Sequence, residues 1–249
     1  MSVAKGMFIN MKKLFMLLLL CLLSIALVAC GEEEKTKSAE SETATEEQES
    51  STDENTEDET EEIAEEPEPV LTPQEEMFTK LTGLIDEGKA IDTGSYIQGD
   101  IPKGEYAFIT FEGSGQYYSE EDQAGNIIDN ENFESFGYVY VHDKGNIETM
   151  GALVSVDALK NLGVSGAKEL YEIMNDVEDF TGSAWYKVGA DIEPGQYVIE
   201  SIGEGYAAIM SGPVGNNEIV DNNIFNGRYS VNVSEGQYLV VSKGEIKKQ

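Results

Sequence analysis

The segment YIQGDIPKGEY (residues 96–106) decides the fold prediction, because it recurs as YKVGADIEPGQY at residues 186–197. The second copy has one extra residue, Ala190. Further along, NIIDN (126–130) aligns with EIVDN (218–222), Phe133 with Phe225, and GYVYV (137–141) with GRYSV (227–231). Agreement at several separated points indicates an internal duplication, with copies that start about 90 residues apart.

Both copies have the residue pattern of β-structure. Tyr, Val, Ile and Phe alternate with polar residues in short runs, which Gly, Asn, Asp and Pro interrupt. Each copy has room for roughly five or six short strands in a small sandwich or barrel-like unit. A unit of this size has a marginal core, so we expect the units to pack on each other or on neighbouring helices.

Two helical segments accompany the repeats. Thr72 to Glu75 forms a capping box with Pro73 at the first helical position, and Gly88 is a suitable stop. Residues 157–181 predict a helical connector with a break at 163–166 and an apolar face of Leu170, Ile173, Met174 and Val177. The chain is therefore predicted to be mainly β. We expect two tandem β-sandwich or barrel-like units (91–156 and 182–249), an amphipathic N-terminal helix (70–90) and the helical connector (157–181).

The first 30 residues predict a bacterial lipoprotein leader. Lys12 and Lys13 precede a 15-residue apolar run, Leu14 to Val28, which is short for a membrane span and typical of a signal peptide. The run ends in LVACG (residues 27–31), the pattern of a lipobox. We therefore predict a signal peptide at 1–29 and a diacylglyceryl anchor on Cys30, at the extracellular face of the cell membrane.

An acidic, low-complexity tether follows. Residues 31–69 hold 18 acidic and 2 basic side chains, a composition that predicts an extended, disordered spacer. The whole chain has a formal net charge of −32, which becomes −35 once residues 1–29 and their three lysines are removed. Such a charge repels nucleic acid, so we predict no nucleic-acid partner.

The repeat resembles a family of uncharacterised Gram-positive surface lipoproteins with Tyr-x-x-Gly-x-Asp-Ile-x-x-Gly-x-Tyr repeats. Residues 186–197 fit that pattern, and residues 96–106 lack one position after Gly99. The resemblance covers about half of the chain. It implies an extracellular β-rich module, and it brings no catalytic residues.

The sequence offers few parts for catalysis or metal binding. His142 is the single histidine, and Cys30 is the one cysteine after the leader, so a zinc site or a Ser-His-Asp triad is not predicted. The acidic segment 120–131 lacks the spacing of an EF-hand, and we interpret it as a solvated loop. We predict no cofactor, no bound metal and no catalytic residues.

Two aromatic residues are the candidates for ligand contact. Trp185 and Tyr186 could stack on sugar rings, with Trp185 the better candidate for exposure, whereas the aromatics of β-proteins more often fill the core. Tyr117, Tyr118 and Tyr206 are further aromatics of this kind. Three functions stay open. The first is a non-enzymatic, lipid-anchored binding module with an envelope protein or glycan partner; the others are an assembly component of an envelope complex and a wall-active hydrolase.

Overall fold

Helix α1 (Pro73–Asp86) opens the part of the chain that the computed structural model describes, residues 70–247. Its capping box is formed as predicted: the Thr72 hydroxyl oxygen accepts from the Glu75 N–H at 3.2 Å, and the Glu75 carboxylate accepts from the Thr72 N–H at 2.9 Å. Met77, Leu81 and Leu84 form its buried face. The predicted leader (1–29), the lipidation site Cys30 and the acidic tether (30–69) lie outside the described residues.

The first copy folds into two four-stranded antiparallel sheets. The strands are β1 (Ala90–Ile91), β2 (Gly94–Tyr96), β3 (Gly104–Ile109), β4 (Tyr117–Glu121), β5 (Ile127–Asn132), β6 (Phe136–Val141), β7 (Asn146–Thr149) and β8 (Ala152–Ser155). One sheet has the order β1-β8-β3-β6 and the other the order β2-β7-β4-β5.

The connector is helical, as predicted. A 3₁₀ turn (Val156–Ala158) leads into α2 (Leu159–Leu162) and α3 (Ala167–Asn175). The break between α2 and α3 begins at Gly163, whose φ of +80° is a left-handed conformation that suits glycine. Leu170 and Met174 are buried on α3, but Val177 is exposed beyond the end of the helix, so its predicted place on the apolar face is wrong.

The second copy forms one antiparallel sheet. Its strands are β9 (Ala184–Lys187), β10 (Gly195–Met210), β11 (Ile219–Val233) and β12 (Tyr238–Lys247), in the order β11-β10-β12-β9. In place of five or six short strands there are three long ones and a short one. Strand β10 takes the places of β3 and β4, β11 those of β5 and β6, and β12 those of β7 and β8. The described residues are mainly β, as predicted, and no closed barrel is formed among them.

The strand registers show that the two copies have the same pairing. Tyr96 pairs with Ile147 as Tyr186 pairs with Leu239. A register shift follows Glu120 opposite Asp129, and an equivalent shift follows Ile209 opposite Asp221. The duplication therefore extends to the irregularities of the sheets.

One part of the predicted alignment is wrong. Tyr106 lies opposite Val139 and Tyr197 lies opposite Val231, so Val139 corresponds to Val231 and Gly227 to Ser135. The sequence pairing of Gly137 with Gly227 is thus displaced by two residues. A two-residue shift leaves every side chain on the same face of a strand, which is why the sequence pattern did not reveal it.

The two copies share one core and are joined through the backbone. In the loop between β10 and β11, the Val214 N–H donates to the Tyr138 carbonyl at 3.0 Å, and its carbonyl accepts from the Tyr140 N–H at 2.8 Å. Both copies and the helices contribute to a single hydrophobic cluster. The described residues accordingly lie within one compact unit.

Candidate functional site

The tyrosines of the repeat motif are structural. Each hydroxyl donates to the carbonyl oxygen four residues earlier: Tyr96 to Asp92 (2.8 Å) and Tyr186 to Gly182 (2.7 Å), then Tyr106 to Pro102 (2.8 Å) and Tyr197 to Glu193 (2.7 Å). These bonds fix how the chain enters β2, β9, β3 and β10. Tyr186 is 0% exposed, so the structure removes it as a residue that stacks on a ligand.

The glycine and aspartate of the motif also have local roles. Gly99 and Gly189 have φ values of +90° and +94°, which L-residues rarely adopt. The Asp100 carboxylate accepts from the Ile97 N–H at 3.2 Å, and the Asp191 carboxylate accepts from the equivalent Lys187 N–H at 2.8 Å. The motif therefore encodes a turn between two strands, and its recurrence does not by itself identify a ligand site.

Asp191 also joins the two copies. Besides Lys187, its carboxylate accepts from the Tyr138 hydroxyl and from the Lys168 N–H at the start of α3, each at 2.8 Å. The Tyr138 hydroxyl in turn accepts from the Ala167 N–H at 2.9 Å. Burial raises the pKa of Asp191 to about 6, against the lowering effect of these donors.

A second polar cluster, formed by Glu105, Lys187 and Tyr238, also joins the two copies. Glu105 of β3 accepts from the Lys187 ammonium at 2.7 Å and from the Tyr238 hydroxyl at 2.5 Å. The Lys187 ammonium also lies 5.5 Å from the ring centroids of Tyr138 and Tyr238. Because all these groups have partners, this cluster serves the junction between copies.

A cleft of about 440 Å³ lies between the two copies. Its floor is a face of the sheet of the second copy, where Trp185, Val240 and Ala208 are cross-strand neighbours in one row. Its opposite wall is the end of β5 with the residues that follow, 129–134. Glu134 accepts from the Ser242 hydroxyl at 2.8 Å and so bridges the wall and the floor.

The cleft wall is acidic. Asp129, Glu131 and Glu134 contribute carboxylates, whereas none of the described residues that line the cleft is Lys, Arg or His. Burial raises the pKa of Asp129 and of Glu131. Asn130 and Asn132 alternate with Asp129 and Glu131 along β5, so their exposed amides point to the other face of the strand. The cleft therefore combines charge with an apolar floor.

Trp185 contributes to this cleft although it is mostly buried. The side chain is 9% exposed and packs edge-on against Phe133, with ring centroids 6.3 Å apart. The expectation of an exposed Trp185 is therefore wrong, although the residue lines the cleft floor. Tyr206 also lines the cleft, whereas Tyr117 and Tyr118 do not.

The acidic segment 120–131 is not the solvated loop that its composition suggested. It forms the β4–β5 hairpin, with Glu120 at 0% exposed. The Glu120 carboxylate accepts from the His142 and Lys144 N–H groups and lies 3.0 Å from the His142 Nδ1. No group of three or more His, Cys, Asp or Glu side chains within residues 70–247 is arranged to hold a metal ion.

Both copies expose apolar side chains on an edge strand. In the first copy Ile127 is 56% exposed on β5, and in the second Ile219 and Val220 are 58% and 55% exposed on β11. These strands pair on one side only. The similarity of NIIDN and EIVDN is thus not explained by packing in the core. Because the cleft wall begins at Asp129, within NIIDN, this similarity was the one sequence signal that could have indicated the cleft wall.

Comparisons with protein-family models, with curated proteins and with solved structures found no match to this chain. No helix within residues 70–247 has the length and apolar character needed to cross a membrane.

Proposed function

We propose that this chain is a non-enzymatic, lipid-anchored binding module of the bacterial cell envelope, held at the outer face of the cell membrane through a diacylglyceryl group on Cys30. The lipobox at residues 27–31 supports the anchor, and the acidic tether supports a position at some distance from the membrane. The resemblance to Gram-positive surface lipoproteins agrees with this location.

The cleft between the copies is the observation that carries the binding function. Ligand sites are typically concave and largely apolar, with a few convergent polar groups. Here an indole lies on the floor and carboxylates line the wall. Aromatic rings and planar polar side chains are groups that suit the two faces and the hydroxyls of a sugar, so we propose a glycan of the cell wall as the ligand.

A pull-down with insoluble cell walls tests the proposal. The purified chain is expected to sediment with the walls, and a variant with Asp129→Ala and Glu131→Ala is expected to lose most of this binding. Trp185→Ala should lose it too, provided that its circular dichroism shows a folded protein. Asp221→Ala with Asn223→Ala changes the corresponding positions of the second copy, which lie outside the cleft, and is the matched control. Equal binding by all variants would contradict the assignment of the cleft.

The exposed edge strands favour a second candidate, an assembly component of an envelope complex. An edge with unpaired backbone groups and exposed Ile219 and Val220 is suited to pairing with a strand of another protein. If a stoichiometric envelope protein co-purifies with the chain, Ile219→Lys with Val220→Lys should release it without affecting wall binding. Loss of the same partner in the Asp129 and Glu131 variant would place that partner in the cleft instead.

A further inference from the structure

The charge of the cleft limits the class of ligand, if the proposed function is right. Asp129 and Glu131 are half-buried on its wall, and Glu134 lies at its bridged end. His142 is near Asp129 but does not line the cleft. The carboxylates that face the cleft therefore have no cationic side chain opposite them among the described residues, and a neutral ligand would desolvate them without compensating their charge.

Burial in the cleft wall disfavours the ionised forms of Asp129 and Glu131. Burial is the largest effect on the pKa of both Asp129 and Glu131, and it raises both. Each accepts a backbone hydrogen bond, from the Asn130 N–H at 2.8 Å and from the Asn132 N–H at 2.9 Å. His142 and the Gly215 N–H also lower the pKa of Asp129, but together these effects do not cancel that of burial. A cation placed between them would favour their ionised forms.

The floor is compatible with the same cation. The Trp185 ring is on the side of the cleft opposite the carboxylates, and the face of an indole is the aromatic surface that attracts cations most strongly. Divalent metal ions are less suitable, because residues 70–247 hold no group of three ligands arranged for a metal. An organic ammonium group needs no such coordination sphere.

We propose that the cleft recognises a glycan that carries free amino groups, with the ammonium of an amino sugar between the wall carboxylates and its ring against the cleft floor. This inference rests on the proposed function and names the substrate class of the same site.

Calorimetric titration of the purified chain with two matched probes tests the inference. The probes are the tetramer of glucosamine and the tetramer of N-acetylglucosamine, which differ in the charge of the amino group. We expect the glucosamine tetramer to bind at least about tenfold more tightly, the effect of one charge-assisted hydrogen bond. Asp129→Asn with Glu131→Gln should remove that difference.

The duplication supplies a control of equal net charge. Asp221→Asn with Glu218→Gln removes one carboxylate from β11 and one from the residue just before it, both outside the cleft, and should leave the preference intact. Equal weakening in this control would show only general attraction to an acidic protein and would overturn the inference. Tetralysine binding in the cleft more tightly than the glucosamine tetramer would overturn it in favour of a basic peptide.

The failure of the inference and that of the proposed function are distinguishable. If the N-acetylated tetramer binds as tightly as the glucosamine tetramer and the cleft variants lose both, the cleft binds neutral glycans and only the ligand class is wrong. The same conclusion follows if neither tetramer binds while walls still bind through the cleft. If walls do not bind at all, the proposed function itself is wrong.

Discussion

The aspartate of the repeat motif, Asp100 in the first copy and Asp191 in the second, has different surroundings in the two copies. Asp100 is exposed and accepts from one backbone N–H, whereas Asp191 accepts three hydrogen bonds from three different elements. The extra residue Ala190 is in the turn before Asp191. A local turn device in one copy has thus become a contact between copies in the other.

The pKa of Asp191 predicts a specific pH dependence of stability. A carboxyl with a pKa of about 6 in the folded state, against 3.8 for the ordinary group, binds its proton more tightly when folded. Its contribution to the free energy of unfolding is therefore greatest below pH 4, falls between pH 4 and pH 6, and is lowest above pH 6. The total change is about 3 kcal/mol, from 1.36 kcal/mol per unit.

Asp191→Asn removes this titration. The difference in unfolding free energy between the original chain and the variant should fall by about 3 kcal/mol from pH 4 to pH 7, as measured by urea denaturation at a series of pH values. Asp100→Asn is the control for the loss of a motif carboxylate. A difference for Asp191→Asn that stays constant over this range would show that Asp191 does not titrate in this way.

At the scale of single elements, β6 depends on a missing side chain. A Cβ on Gly137 would lie 2.1 Å from the Cε1 of Phe133, which is itself buried and stacked on Phe108 with ring centroids 4.6 Å apart. Phe133 also packs on Trp185. The glycine thus lets an aromatic ring of the first copy reach the cleft floor of the second.

Gly137→Ala should therefore destabilise the protein, by about 1–3 kcal/mol for an overpacked core, and should change the Trp185 fluorescence because Phe133 must move. Gly83→Ala is the comparison, since Gly83 is on the exposed face of helix α1 and its Cβ would have no neighbour within 4 Å. That variant should gain up to about 1 kcal/mol. Chemical denaturation measures both, and an unchanged stability of Gly137→Ala would show that Phe133 adapts freely.

At the scale of the whole molecule, the two copies are expected to unfold together. They share a hydrophobic cluster, the backbone bonds of Val214 to β6 and the hydrogen bonds of Asp191. Neither sheet system of some 60 residues would have more than a marginal core alone. Their junction therefore stabilises both, and it also forms the cleft.

Trp185 is the single tryptophan of the chain, and it lies on the second copy against Phe133 of the first, so its fluorescence reports on the second copy and on the junction. Leu153→Ala removes a fully buried side chain of β8 in the first copy and should cost about 2–5 kcal/mol. If the copies unfold as one, the urea midpoint seen by Trp185 fluorescence shifts with that seen by far-UV circular dichroism. A Trp185 midpoint that does not shift would mean that the second copy is independently stable.

Much of the architecture was predictable because it depends on local rules. The capping box of α1, the helix break at Gly163 and the β-character of the repeats follow from residue preferences and periodicity. The number of strands was not predictable. In the first copy the chain breaks between β3 and β4, whereas in the second the corresponding segments form one continuous strand, β10, and no local pattern of residues distinguishes the two cases. The displaced alignment of Gly137 has a similar cause, since alternation is unchanged by a shift of two residues.

Residue preferences and spacing were enough to predict the duplicated motif, the mainly β fold and the two helical segments, since each depends on residues that are near one another in the chain. Which aromatic residues are buried and where a ligand could bind depend instead on how the two copies pack. Tyr186 and Trp185 are adjacent and similar in sequence terms, yet one is within the core and the other lies on the cleft floor. The cleft exists because β5 of one copy lies against the sheet of the other, and no local pattern specifies how two folded copies pack.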